Sequence, residues 1–282
     1  MFRFNADQGL QFFSLALTLV TASLICLVVA FVFLESLPVL NSDVAGFFDT
    51  SKAWFPLEGQ RGLMPMVAGS LLCTLGAIAL ALPLGMASAL FSQYYGHSSL
   101  VLPYRWLLGL LAGIPSVVYG FWGLTVLVPL IGSYQPPGAS LLAGILILAL
   151  MILPTVALTA EAAFKAVPAS YLQGAHALGM RKAAIAFRVL FPAARQGLIA
   201  GTVLAITRAL GETMAVLMVT GNVVEMPGSV FDPVRTLTAN IALEMAYATG
   251  EHRASLFFSG LVLTLLIVFM VSYVHRREYA RP

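Results

Sequence analysis

Read as a string of apolar and polar positions, the chain alternates long uncharged runs with short polar intervals. The runs at residues 12–34, 65–91, 106–131, 139–160, 197–219 and 254–274 are each of a length that crosses about 30 Å of hydrocarbon as an α-helix. The first is too long for a signal-peptide core and no small-residue cleavage site follows it, so it reads as an uncleaved span. The second carries Gly69, Ser70, Thr74, Gly76 and Gly85, whose small side chains favour close helix crossings. Three polar stretches separate the runs. Residues 35–64 are expected on the outer surface with a possible interfacial helix, 164–195 form a basic loop, and 221–253 make a second outer loop. The pattern predicts an all-α integral membrane protein, a single domain over residues 1–282 with six transmembrane helices.

Composition strengthens this picture. With 60% apolar and only 10% charged residues, and a mean hydropathy of +0.92, the chain lacks the roughly one-quarter charged content of a soluble domain, so membrane lipid is its solvent. The net charge of +3 calls for no nucleic acid, because membrane proteins concentrate Lys and Arg on one side. Arg3, Arg105, Lys165, Arg181, Lys182, Arg188, Arg195, Arg276, Arg277 and Arg281 fall on one side of a six-span arrangement, and Lys52, Arg61, Arg235 and Arg253 on the other. The outer loops instead carry Glu35, Asp43, Asp49, Glu58, Glu225, Asp232, Glu244 and Glu251. Both termini and the basic loop are therefore expected in the cytoplasm.

Several function classes drop out. Cys26 and Cys73 lie inside apolar runs, and His97, His176, His252 and His275 are scattered, so neither a disulfide framework nor a metal centre is indicated, and no cofactor is expected. Lys52, Lys165 and Lys182 are preceded by Ser51, Phe164 and Arg181, which leaves no phosphate-wrapping Gly-Lys-Ser/Thr loop. If transport is driven by ATP, hydrolysis belongs to a partner chain, and this chain is not itself an enzyme.

The basic loop contains residues 173–192, QGAHALGMRKAAIAFRVLFP. Ser170 and Gln173 have capping-box spacing, which predicts a helix from Tyr171; Gly179 suits the left-handed residue that closes it near Leu178. A second helix is expected from Arg181 towards Phe191, where Pro192 resets the chain. Gly174, Ala175 and Ala177 would let another protein approach the first helix closely.

The loop resembles the coupling loop of ABC importer permeases, Glu-Ala-Ala, three residues, Gly, nine residues, Ile-x-Leu-Pro. Gln173, Gly174 and Ala175 stand at its first three positions, Gly179 at the glycine, Val189 and Phe191 at the Ile and Leu, and Pro192 at the proline. Gln173 departs from the family's Glu. A literal Glu161-Ala162-Ala163 lies upstream, but the seventh position from its start is Val167, so it is a decoy. The resemblance implies that Gln173, Gly174, Ala175, Gly179 and Pro192 serve contact with an ATPase.

The run at 197–219 holds Arg208 and Glu212, four residues apart and on one face of a continuous helix. Eleven residues of about 1.5 Å rise put Arg208 roughly 16 Å deep. Each charge there costs about 3 kcal/mol, so both are expected to face the protein interior. Arg208 either meets an anion in a translocation path, with Glu212 holding its guanidinium, or pairs with Glu212 to pin helices together. In the run at 106–131, Pro115 removes a backbone donor between Gly113 and Gly120 and predicts a kinked or broken helix. That would place Ser116 and Tyr119 as path-lining donors, or serve packing alone. Pro154 and Thr155 repeat the theme and are read as packing, and Glu161, at the cytoplasmic end of its span, is expected to reach water.

Residues 115–120 (PSVVYG), 153–168 (LPTVALTAEAAFKAVP) and 208–222 (RALGETMAVLMVTGN), together with the loop, are similar to the phosphate ABC importer permeases, in particular the PstC type. The first hundred residues match only in layout. The resemblance implies a type I importer permease, a second homologous permease subunit, two ATP-binding ATPase subunits and a periplasmic phosphate-binding protein, in a bacterial inner membrane. Another oxyanion (phosphonate, sulfate or molybdate) is an alternative, and an ion-coupled secondary transporter is a further one that the coupling loop argues against.

Overall fold

The computed structural model describes residues 6–40, 45–49 and 54–279; Arg3, Asp43, Lys52 and Arg281 lie outside the described residues. Helix α1 (Ala6–Leu40) leads to a short hairpin, β1 (Trp54–Phe55) and β2 (Gln60–Arg61), paired antiparallel with Trp54 opposite Arg61. Next come α2 (Met64–Leu90), widened by a π-turn at Phe91–Tyr95, then α3 (Ser98–Gly113), α4 (Ser116–Trp122) and α5 (Val128–Gly132). A central helix, α6 (Leu141–Lys165), precedes the short α7 (Ala169–Ala177), α8 (Lys182–Ile185) and α9 (Phe191–Ala193). The chain ends with α10 (Arg195–Leu210), α11 (Met214–Val219), α12 (Leu237–Glu244) and α13 (Gly250–Tyr279).

Among the described residues, four helical stretches are long and apolar enough to cross a membrane: Gly9–Leu40, Met64–Tyr95, Leu141–Lys165 and Gly250–Val274. Six spans result when two bent pairs count as one each, Ser98–Gly113 with Ser116–Gly132 at 93° and Lys182–Ala193 with Arg195–Leu210 at 72°. The break at Pro115 has a local cause. Ile114 and Pro115 are extended (ψ 129° and 141°), and the Tyr119 hydroxyl donates to the Leu111 carbonyl, four residues before the proline, at 2.9 Å.

Helix α6 is the hub, 61% of its most apolar window being buried, against none for α1. Glycine positions let the neighbours approach. A Cβ on Gly76 would meet Ile145 at 2.6 Å and one on Gly85 would meet Val156 at 2.6 Å, so the small residues of α2 do set its crossing with α6. Gly120 on α4 lies similarly against Ala215 and Met218 of α11. Helix α1 packs beside α13, Phe31 meeting Phe257 edge to face at 5.5 Å.

Some expected boundaries move. The first helix runs on past Leu34 to Leu40, and the described residues between it and α2 form 3₁₀ turns (Ala45–Phe48, Pro56–Glu58) and the hairpin. The loop at 221–253 is structured rather than open. It contains α12, and Glu244 there accepts from Trp54 Nε1 at 2.8 Å and Arg235 at 2.7 Å, with His252 Nε2 also 2.8 Å away. Met66 at one end of α2 packs with Trp54, Leu237 and Leu256, while Ala89 at the other packs with Phe164, Leu190 and Leu198. The two ends are roughly 35 Å apart at 1.5 Å per residue.

Candidate functional site

Arg208 lies just before, and Glu212 within, a break in the helix expected to carry both. Regular helix stops at Leu210 and resumes at Met214, so the two residues do not share a helical face. Gly211 weakens helix continuation, and the freed groups find local partners. The Glu212 carboxylate accepts the Ala215 N–H at 3.0 Å and caps α11, and the Thr238 hydroxyl donates to the Glu212 carbonyl at 2.8 Å. No ion pair within 4 Å joins Glu212 to Arg208 among the described residues. The break has the same logic as the one at Pro115: irregular backbone is tolerated at membrane depth where hydroxyls and carboxylates close its hydrogen bonds.

Arg208 occupies the last turn of α10, where a cation complements the helix C-terminus. Its side chain is exposed, and its one hydrogen-bond partner among the described residues is the neutral Thr155 hydroxyl of α6, at 3.4 Å. Thr155, read from the sequence as packing, is the neighbour that sequence reasoning missed; its spacing of 53 from Arg208 carries no local signal. Tyr119 is 4% exposed and its hydroxyl is engaged by Leu111, whereas Ser116 is half-buried at the start of α4 with no hydroxyl partner among the described residues. The guanidinium, the Thr155 hydroxyl and the break at Pro115 thus come from three elements far apart in sequence.

The basic segment forms a second candidate site. Helix α7 starts at Ala169, with Pro168 before it and no side-chain cap, so Ser170 and Gln173 do not form the expected capping box. Its other end agrees with expectation. Gly179 has φ 70°, its N–H bonds to the His176 carbonyl at 2.9 Å, and the Met180 N–H bonds to the Ala175 carbonyl at 3.2 Å, which together close the helix in a Schellman turn. Gln173 and Gly174 are exposed, and a Cβ on Gly174 would meet nothing within 4 Å; Ala175 points inward, 5% exposed.

Pro192 does not reset the chain. A π-turn at Ala186–Leu190 absorbs its missing N–H, α9 continues through it, and the 72° bend falls at Ala194. Phe191 meets Phe164 at 5.1 Å, tying the segment to the end of α6. Just inside, Glu161 is 4% exposed and does not reach water. It pairs with Arg105 at 2.7 Å and Lys165 at 2.6 Å and accepts from Ser92 at 3.0 Å, so the π-turn after α2, the middle of α3 and the end of α6 converge on one carboxylate. Of these partners only Lys165, one helical turn on, was visible in the sequence. Among the described residues no group of three or more His, Cys, Asp or Glu could hold a metal.

A family model described as binding-protein-dependent transport system inner membrane component matches residues 81–277. The chain is 38% identical over 240 residues to a probable ABC transporter permease protein, YqgH, of Bacillus subtilis, covering 82% of this chain and 78% of the relative. It is 35% identical over 259 residues to the phosphate transport system permease protein PstC of Mesorhizobium japonicum, covering 83% and 79%. Among solved structures, the MetNI methionine ABC transporter in inward-facing conformations aligns with a TM-score of 0.57 at 18% identity, over 77% of this chain and 92% of that one, a likeness of fold.

Proposed function

We propose that this chain, which belongs to the family of binding-protein-dependent transport system inner membrane components, is the membrane permease subunit of an ATP-driven phosphate importer. Family membership makes it a multi-pass transport component of the inner membrane rather than an enzyme, working with a separate ATPase and a substrate-binding protein. In our reading a second, homologous permease completes the membrane pore, and the α7 segment and both termini face the cytoplasm.

The observation that carries the substrate reading is Arg208. An exposed guanidinium within an apolar helix costs about 3 kcal/mol at membrane depth unless water, a partner or a ligand compensates it. Its one neutral partner, Thr155, leaves N–H donors free, and a planar fork of donors matches two oxygens of a tetrahedral oxyanion. In this reading Arg208 lines the translocation path, and Ser116, a half-buried hydroxyl at the start of α4, is a further path-lining donor. Tyr119 and Glu212 shape the path indirectly, by holding the breaks before α4 and α11. Relatives named as phosphate permeases favour phosphate over other oxyanions. Alternating access then follows from the broken spans, which can rock at 113–116 and 210–214 when the ATPase moves α7. Gln173 and Gly174 present that coupling surface, Ala175 supports it from the inner side of α7, and Gly179 and Pro192 act through backbone shape.

The test is ATP-dependent uptake of radiolabelled phosphate by the complex reconstituted with its ATPase, partner permease and phosphate-binding protein. Phosphate uptake should resist excess sulfate and molybdate, and Arg208→Lys should reduce it sharply at matched abundance. Uptake of sulfate or molybdate in place of phosphate would overturn the assignment.

A further inference from the structure

A cavity of about 540 Å³ opens at the end of the molecule opposite α7, between the β1–β2 hairpin, the 222–235 stretch and the start of α13. Its walls are aromatic, with Trp54, Phe55 and Tyr247, the last 66% exposed. At its rim stand Glu58 and Glu225, both exposed and both without a hydrogen-bond or ion partner among the described residues. The two basic groups that reach the cavity are already committed: Arg235 is paired with Glu244 at 2.7 Å, and His252 lies 2.8 Å from the same carboxylate. Within the wall the buried Asn222 Oδ1 has no donor. The surface is therefore short of donors and rich in acceptors and aromatic faces.

We infer that this cavity receives an arginine or lysine side chain of the soluble substrate-binding protein. A guanidinium or ammonium would sit against the exposed rings of Phe55 and Tyr247 by cation–π attraction while Glu58 and Glu225 neutralise it from the rim. The cargo itself does not fit, since two unpaired carboxylates repel an oxyanion; the pocket suits the carrier that brings it. The inference rests on the importer reading, which places the carrier on the side away from α7. The Glu244 hub gives the docking pocket a rigid floor, because it ties the hairpin, Arg235, α12 and α13 to one carboxylate. It also connects the pocket to the path: the Arg235 carbonyl lies against Gly69 of α2, and the Thr238 hydroxyl of α12 holds the Glu212 carbonyl at the break before α11.

The experiment titrates the purified phosphate-binding protein against the reconstituted complex and reads the concentration giving half-maximal phosphate uptake. Glu58→Lys with Glu225→Lys should raise that concentration about fivefold or more at low salt and less at high salt, as rim charges do. The neutral pair Glu58→Gln with Glu225→Gln should shift it in the same direction by less. As a check independent of the folding of charge-reversed chains, a photo-crosslinker at position 225 should label the binding protein on a peptide containing Lys or Arg. An unchanged half-maximal concentration in the charge-reversed variant, or labelling confined to membrane chains, overturns the inference. Wild-type complex that takes up no phosphate would instead defeat the importer reading itself, so the two failures are distinguishable.

Discussion

If Arg208 serves the anion and Glu212 serves the backbone, neutralising both should not restore transport. In Arg208→Gln the guanidinium's two-point contact is lost. Charge-assisted hydrogen bonds contribute about 1.5–3 kcal/mol each, so two of them amount to roughly a hundredfold to ten-thousandfold in uptake rate. In Glu212→Gln the amide oxygen can still accept the Ala215 N–H that the carboxylate now takes at 3.0 Å, so uptake should fall by no more than about threefold. Glu212→Ala removes the cap, which costs about 1 kcal/mol, and should be the more harmful of the two changes. The double variant Arg208→Gln with Glu212→Gln should remain as impaired as Arg208→Gln alone, with a coupling energy under about 1 kcal/mol, because no ion pair links the side chains. The assay is the initial rate of phosphate uptake at matched membrane abundance and saturating binding protein. Return of the double variant to within about threefold of wild type would show that Arg208 mainly neutralises Glu212 and would remove it from the path.

Gly174→Trp should leave the chain inserted and folded, since a side chain there meets nothing within 4 Å, yet block ATPase docking on α7; co-purification with the ATPase and the ratio of ATP hydrolysed to phosphate moved measure this. Gly120→Leu should lower the melting temperature in detergent, because even its Cβ would lie 2.9 Å from the Ala215 Cα, and an unchanged melting temperature would refute the close α4–α11 packing. With Cys26 and Cys73 removed, Ser116→Cys should react with small water-soluble thiol reagents more slowly when phosphate and its binding protein are present. Tyr119→Phe should instead act through stability, by about 1 kcal/mol, since it leaves the Leu111 carbonyl with only a long bond from Ile114 at 3.3 Å; full thermal stability of that variant would refute the role assigned to its hydroxyl.

What the sequence determined by itself lies in covalent and short-range facts. Long uncharged runs must be helical in lipid, because no water is present to take backbone hydrogen bonds, and their lengths set the candidate spans. Pro115 has no N–H to offer the Leu111 carbonyl, so a distortion there is fixed by the sequence, whereas Pro154 and Pro192 stay inside their helices and show that packing decides how large the distortion becomes; Gly179 takes φ 70° without strain and closes α7 as its spacing suggested. The small residues of α2 announced a close crossing without naming α6 as the partner. Where expectation failed, the deciding contacts came from elsewhere in the chain. A spacing of four between Arg208 and Glu212 presupposes a helix that continues, and whether it does depends on Thr238, 26 residues away, holding the carbonyl of an opened turn. Glu161 seemed free to reach water until Arg105 and Ser92 from two other helices closed over it. Trp54 and Glu244 stand 190 positions apart, and only the packing of α13 beside α1 and α12 brings the indole N–H to the carboxylate. Periodicity states which residues leave water or seek lipid; which donor answers which acceptor is decided by tertiary packing, because in a low-dielectric interior each polar group takes whatever partner the crossing of helices brings within 3 Å.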